Sequence, residues 1–217
     1  MNPILMTVCA LAVLSPFQAL CAAEQSSDQP SAAALPTAAP GFEELMAESG
    51  MQLKTPKGFH DVVLHANPLF MYDKAVSNED STLEIRYAVR PLGRIQIDYE
   101  DPHSSAPDPN HMFPVMFQSM VTLLSDGRHS PTREYPRTQA TEKFNADWAA
   151  AAVFDISERF ETNHKMALVI ALHKNQLADA YAVFLFDDYE QAKPLLDQTL
   201  EALRFAPEPA EEAPSGG

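Results

Sequence analysis

Two adjacent β-prone runs near the C-terminus constrain the fold of this chain more than any other feature. Residues 166–173 (MALVIALH) and 179–186 (DAYAVFLF) are rich in β-branched, aromatic and other apolar side chains, and the short segment 174–178 separates them. This pattern predicts an antiparallel hairpin. Asp187 and Asp188 follow as candidate helix caps. A final helix of about four turns is then predicted from an apolar stripe formed by Ala192, Leu195, Leu196, Leu200 and Leu203.

The rest of the central region alternates between helical and extended patterns. We predict helices over 42–49 and 113–125, and strands over 62–65, 70–76, 82–89, 95–99 and 132–140. Within 82–89 the apolar side chains alternate, which places one set on a single strand face, namely Leu83, Ile85, Tyr87 and Val89. Segment 144–156 contains alanines that favour a helix, but its alternation favours the strand that we predict. The element order predicts a single α+β domain in which helices sandwich an antiparallel sheet.

The two ends of the chain differ from the middle in composition. Residues 4–14 (ILMTVCALAVL) form an uncharged apolar stretch, and small residues precede a possible cut after Ala23. We predict a signal peptide over 1–23, a flexible linker over 24–40, a folded domain over 41–205 and a disordered acidic tail over 206–217. An uncleaved anchor is the alternative, because no basic side chain precedes the apolar stretch.

Cleavage after Ala23 would remove both cysteines of the chain, Cys9 and Cys21. Leu20 is larger than the residue expected before a lipid-modified cysteine, so the pattern disfavours a lipoprotein. The mature protein would then have no disulfide, no thiol nucleophile and no thiolate metal site. We therefore expect a periplasmic or secreted protein with no membrane span after cleavage.

The charge balance excludes one large class of function. The chain has 30 acidic and 15 basic side chains and a formal net charge of −15. A nucleic-acid-binding protein needs a basic face that displaces counterions from phosphates, and no basic run is present here. The same balance disfavours adsorption to anionic lipid.

The order of elements is similar to that of a known family. A proline–glycine turn opens the domain, a strand hairpin leads to a mid-chain helix, and the chain closes with AYAVFLFDDYEQAKPLLDQTLEALRF. This arrangement resembles the PsbP-like fold of the photosystem accessory protein and of DcrB-type bacterial envelope lipoproteins. The resemblance implies a non-enzymatic accessory or binding role outside the cytoplasm, and it supplies no site residue.

Signatures of common enzymes are missing from the sequence. The Gly-x-Ser-x-Gly signature of serine hydrolases is absent, and no glycine-rich loop of the nucleotide-binding type is present. The segment between Asp98 and His111 does contain candidate ligands for a hard cation or zinc. The weak metal candidates there are Asp101, His103, Asp108 and His111, with Asp98 and Glu100 nearby. Their spacing is not that of a preformed site, so a solvated acidic loop is the favoured interpretation, and we predict no cofactor.

Other polar and soft side chains have structural interpretations. His60 and His65 point to opposite sides of an extended chain, and His173 and Lys174 are expected to meet water at a strand end, as are His164 and Lys165. Trp148 is expected to pack in the core. Four methionines, Met112, Met116, Met120 and Met166, could line a flexible binding groove. The helical spacing of those in the mid-chain helix favours a place in the core instead.

These observations predict an exported, non-enzymatic accessory or binding module, with another envelope protein as a possible partner and the oligomeric state open. The alternative is a hydrolase or metal-dependent enzyme whose residues come from separated loops, with His103, His111 and His173 as its histidines. That alternative requires at least two titratable side chains that converge in one concave pocket.

Overall fold

A computed structural model describes residues 40–95 and 107–207 of the 217-residue chain. Four α-helices lie in these ranges, namely α1 (Phe42–Glu48), α2 (Pro109–Leu124), α3 (Arg137–Phe144) and α4 (Tyr189–Thr199). The strands of the same ranges are β1 (Met51–Leu53), β2 (Phe59–Asp61), β3 (Lys74–Asn78), β4 (Glu84–Pro91), β5 (Thr132–Glu134), β6 (Trp148–Asp155), β7 (Met166–Lys174), β8 (Ala178–Phe186) and β9 (Leu203–Phe205).

The main sheet has seven strands in the order β2-β3-β4-β8-β7-β6-β5, and every neighbouring pair is antiparallel. The predicted hairpin is confirmed as β7 and β8, which lie at the centre of this sheet. A second, two-stranded sheet joins β1 to β9, so the first and last strands pair. The α+β class with an antiparallel sheet is therefore confirmed.

Helices cover both faces of the main sheet. On one face, β4 contributes Ile85, Tyr87 and Val89 to a core cluster that also contains side chains of α1, α3, α4 and β9. On the other face, Ala88 belongs to a second cluster with Phe117, Val121 and Leu124 of α2, among others. Because both faces are buried, the central strands are apolar along most of their length. The predicted alternation within 82–89 is confirmed.

Several predicted boundaries are wrong. The strand predicted over 62–65 is displaced to β2, and Val63 and Leu64 are exposed. The strand predicted over 70–76 begins only at Lys74. The strand predicted over 132–140 ends at Glu134, because Pro136 has no N–H for a ladder and instead precedes α3.

The final helix is shorter than predicted. Helix α4 has 11 residues, and Asp188 caps its N-terminus by accepting hydrogen bonds from the backbone N–H groups of Glu190 and Gln191. Leu203, predicted as part of its stripe, instead lies on β9 opposite Leu53. The strand interpretation of 144–156 is confirmed as β6. Most of the strand predicted over 95–99 lies outside the described residues.

Candidate functional site

Helix α2 carries two apolar stripes, and only one of them is buried in the core. Phe117, Val121 and Leu124 face the sheet and are almost fully buried. Met112 and Met120 are half-buried, whereas Met116 is 52% exposed. The prediction that the α2 methionines belong to the core is therefore wrong for Met116, whereas Met120 packs against the core as a partly buried side chain. The physical reason is that the aromatic and aliphatic stripe already fills the contact with the sheet, which leaves the methionine stripe on an adjacent side.

The methionine stripe forms one wall of a groove with a volume of about 940 Å³. The segment before β3 and the turn after β4 provide much of the opposite wall. Their apolar contributions include Leu69, Phe70, Met71, Leu92 and Ile95. Met71 is 77% exposed, so flexible thioether side chains are present on both walls. Methionines repack at low cost and suit a surface that adapts to an apolar partner.

Each charged group of the groove already has a partner, and Arg94 donates to the carboxylates of Glu44 and Glu48 outside it. Asp73 Oδ2 accepts hydrogen bonds from the Val89 backbone N–H at 2.8 Å and from Arg90 Nη1 at 2.7 Å. Arg90 also donates to the backbone carbonyl of Met71. Burial, reinforced by the nearby Asp179 carboxylate, raises the pKa of Tyr181 well above its usual range, so its phenol remains neutral. The surface of the groove is therefore mainly apolar, and the charges of Asp73 and Arg90 neutralise each other.

A buried histidine lies beside this groove. His173 is fully buried, with Nδ1 2.7 Å from Asp179 Oδ1 and Nε2 3.1 Å from Asn175 Oδ1. The Phe113 ring stacks on it with a centroid distance of 4.0 Å. The expectation that His173 meets water is wrong, because the start of α2 covers this end of β7. A fully buried ring with both nitrogens in contact with side-chain oxygens fixes structure rather than touching a substrate.

The same polar cluster fixes the start of α2 on the β7–β8 turn. Asn110 Oδ1 accepts a hydrogen bond from the Gln176 backbone N–H at 2.7 Å. Asp147 Oδ2 accepts one from the Asn175 backbone N–H at 2.9 Å. The Asn110 bond and the stacking of Phe113 on His173 attach the start of α2, and with it the methionine wall, to this end of the sheet.

The predicted metal candidates are only partly described. Asp101 and His103 lie outside the described residues, as do Asp98 and Glu100. The loop predicted through His111 ends earlier, because α2 begins at Pro109 and Asp108 is its N-cap. Hydrogen bonds from the Asn110 backbone and side chain hold the pKa of Asp108 below its usual value.

His111 is 82% exposed at the side chain, and its Nδ1 lies 3.6 Å from Asp108 Oδ2. Within residues 40–95 and 107–207, no three side chains of the His, Cys, Asp and Glu types come together as a metal site would require. The metal site at Asp101, His103, Asp108 and His111 stays a prediction.

The remaining candidates have structural contacts. Trp148 packs against Phe113 and Phe117 with ring centroids 4.8 and 5.8 Å apart, which confirms a core role on the α2 side. His164 Nδ1 lies 3.3 Å from Asp187 Oδ2 at the other end of β7, and its side chain is largely buried, so the expectation that it meets water is wrong. His60 and His65 are exposed.

Comparison with known proteins gives one result about the fold. No protein-family model matches the chain, and no curated protein matches it. The chain is similar to the solution structure of cyanobacterial PsbP (CyanoP) from Synechocystis sp. PCC 6803, with a TM-score of 0.40 and 12% sequence identity. The match covers 73% of this chain and 88% of that chain. It falls within the PsbP family that the element order resembles, and it concerns the fold alone.

Among the described residues, no helix combines the length and the apolar character that crossing a membrane requires. Helix α2 is mostly apolar but has only 16 residues.

Proposed function

We propose that this protein is an exported, non-enzymatic binding module whose methionine-lined groove takes an apolar segment of another envelope protein. The observation that carries the proposal is the exposure of Met71 and Met116 on opposing walls of one large groove. Exposed apolar surface that is contiguous and concave is typical of an interaction site. The signal-peptide pattern of residues 1–23 supports a location outside the cytoplasm.

The charge pattern of α2 indicates the chemistry of the partner. Its 16 residues include no Asp, Glu, Lys or Arg, although the chain has a net charge of −15. Met112, Met116 and Met120 line the groove over about 12 Å of helix, and Met116 is exposed. A charge-free strip of this length complements an apolar segment, such as one face of an amphipathic helix.

A partner segment fits the groove better than a small polar ligand does. Small-molecule sites orient their ligand with a few unsatisfied polar groups that converge on it. Here Asp73 and Arg90 already bond to each other and to the backbone. Recognition would therefore come mainly from apolar contact.

The enzyme alternative receives no support from the described residues. The groove lacks a pair of titratable side chains that are both unpaired and convergent, and His173 is sealed in the core. His111 is exposed on α2, and His103 is outside the described residues. Purified protein that turned over an ester, phosphate or glycan substrate, with contaminants removed, would refute the non-enzymatic part of the proposal.

A site-specific cross-linking experiment tests the groove. A photoreactive residue at Met116 or Met71 is expected to form a discrete adduct in the native host, whereas the same residue at exposed Val63, outside the groove, is not. The partner found is then purified, and its affinity is measured by calorimetry. Met116→Glu should weaken binding by about tenfold or more, because it places a charge in an apolar interface, and Val63→Glu should leave it nearly unchanged.

Several outcomes would contradict the proposal. Equal weakening by both variants would show that the groove is not the contact surface. Adducts formed only between two copies of this chain would make the groove a self-association site. Mass spectrometry of the envelope fraction tests export separately, since a mature chain is expected to begin at Glu24.

A further inference from the structure

The outer face of the β1–β9 sheet forms part of a second pocket. Gln52 pairs with Arg204 across this sheet, and the Lys54 backbone N–H donates to the Ala202 carbonyl at 2.9 Å, which extends the ladder by one residue. Side chains two residues apart on a strand share a face, as do directly paired residues. Gln52, Lys54 and Arg204 therefore share the face opposite to the buried side chains Met51 and Phe205.

These residues line a pocket with a volume of about 590 Å³, which we call the Arg204 pocket. The turn after β1 contributes Thr55 and Lys57, and the end of α4 contributes Gln198, with Glu201 just beyond it. The pocket thus combines three cations with neutral hydrogen-bonding side chains. It shares no lining residue with the methionine-lined groove.

The three cations lack acidic partners, which is unusual in so acidic a protein. The chain has twice as many acidic as basic side chains, yet across the described ranges Lys54, Lys57 and Arg204 form no ion pair. The acid of the pocket, Glu201, is bound instead to Lys143, whose Nζ lies 2.5 Å from Glu201 Oε1. The pocket therefore retains a local excess of positive charge.

Arg204 also has an unsatisfied donor. Its Nε is buried and has no hydrogen-bond partner among the described residues. A buried donor on a charged group is costly to leave unpaired, and such a group commonly marks the place of a missing ion or water. An anion in the pocket would offset this cost by neutralising the guanidinium.

We propose that the Arg204 pocket binds a phosphate group. One carboxylate supplies a single negative charge, whereas a phosphate monoester supplies nearly two charges and three strong acceptor oxygens. Arginine offers a planar fork and lysine a point charge to such oxygens, and the amides of Gln52 and Gln198 add neutral donors. The group belongs either to a small phosphorylated molecule or to a lipid headgroup.

Calorimetry and vesicle binding test this site with the full chain. Pyrophosphate and glycerol 3-phosphate are titrated as free ligands, and vesicles of phosphatidylcholine with and without phosphatidic acid test the lipid source. We expect saturable binding in one of these arms. Lys54→Gln combined with Lys57→Gln should weaken it by about tenfold or more, as should Arg204→Gln.

Arg133→Gln is the matched control, because Arg133 is an exposed arginine on β5, outside the pocket. The lysine variant keeps the test valid if Arg204→Gln disturbs β9, since Lys54 and Lys57 are both exposed. Binding of vesicles but not of free phosphates would assign the lipid source. No binding in either arm, or equal weakening by Arg133→Gln, would overturn the proposal. These outcomes leave the methionine-lined groove untouched, because its test uses variants at Met116, Met71 and Val63.

Discussion

Tyr87 at the centre of the main sheet offers a quantitative test of the packing. Its side chain is fully buried on β4, and its hydroxyl has no hydrogen-bond partner among the described residues. Burial of an unpaired hydroxyl costs about 1–3 kcal/mol in proteins. Tyr87→Phe keeps the ring and removes the hydroxyl, so we expect the free energy of unfolding to rise by about 1–2 kcal/mol.

The pH dependence of this gain gives a second readout. Burial raises the pKa of Tyr87 well above its usual range, so the folded protein holds the phenol neutral while the unfolded chain ionises near pH 10. Below pH 10 the phenol is protonated in both states and adds no pH dependence. Above pH 10 the parent loses about 1.4 kcal/mol per pH unit through this group, and the variant does not. The advantage of Tyr87→Phe should therefore widen as pH rises above 10.

Urea unfolding followed by tryptophan fluorescence measures both effects. Trp148 is the only tryptophan and packs against Phe113 and Phe117, so its emission reports the loss of the core. A destabilisation of more than about 1 kcal/mol on Tyr87→Phe would refute the reasoning, because it would show that the hydroxyl has a favourable partner. A difference between the two proteins that stays constant from pH 8 to above pH 10 would refute the proposed ionisation.

Three further predictions follow from single contacts. Asp179→Ala removes the carboxylate from buried His173 and should lower the free energy of unfolding by about 2–4 kcal/mol in urea. Asn110→Ala should cost less, because it removes partly buried or exposed hydrogen bonds to Gln176 and Asp108 and leaves no buried side chain without its partner. Asp188→Ala removes two capping bonds of α4 and should cost about 1 kcal/mol by thermal unfolding, whereas Asp188→Ser should cost less and exposed Asp197→Ala almost nothing. Removal of divalent cations with EDTA should leave the melting temperature unchanged; a drop reversed by added zinc would contradict the solvated-loop interpretation and would make Asp101, His103, Asp108 and His111 the ligands to test.

The sequence predicts elements well where local periodicity agrees with burial. The two strands of the β7–β8 hairpin are continuous and apolar. They pair in register from Met166 with Phe186 to Lys174 with Ala178, as the two β-prone runs predict. The strand β6 was harder to predict because Ala149–Ala152 suit a helix as well, and only pairing with β7 decides the state. Residues 62–65 show the opposite failure, since the Val62 backbone N–H still bonds to the Ala75 carbonyl of β3, but Val63 and Leu64 lie exposed outside the sheet.

The sequence favours the core over the groove for the α2 methionines, and the reason that this is wrong for Met116 lies in packing. The spacing of Met112, Met116 and Met120 predicts a helical stripe, but spacing alone does not show which of two neighbouring stripes meets the sheet. The aromatic pair Phe113 and Phe117 takes the contact with Trp148. The absence of charge from α2 was the available indication, because a helix with one solvated side normally carries ionised residues there. The burial of His173 depends on α2 folding back over the hairpin, a long-range contact that no local pattern encodes.

Pairing between β1 and β9 also limits when the domain can finish folding. Met51 pairs with Phe205, so a contact between residues more than 150 positions apart closes the second sheet. Phe205 is fully buried, and the Ala206 backbone N–H donates to the Gly50 carbonyl at 2.8 Å. During synthesis, β1 stays unpaired until almost the whole domain has left the ribosome, because β9 is the last of these strands to be made. A ribosome stalled before Leu203 would therefore hold a chain with an open core, which a protease should cut near the unpaired β1.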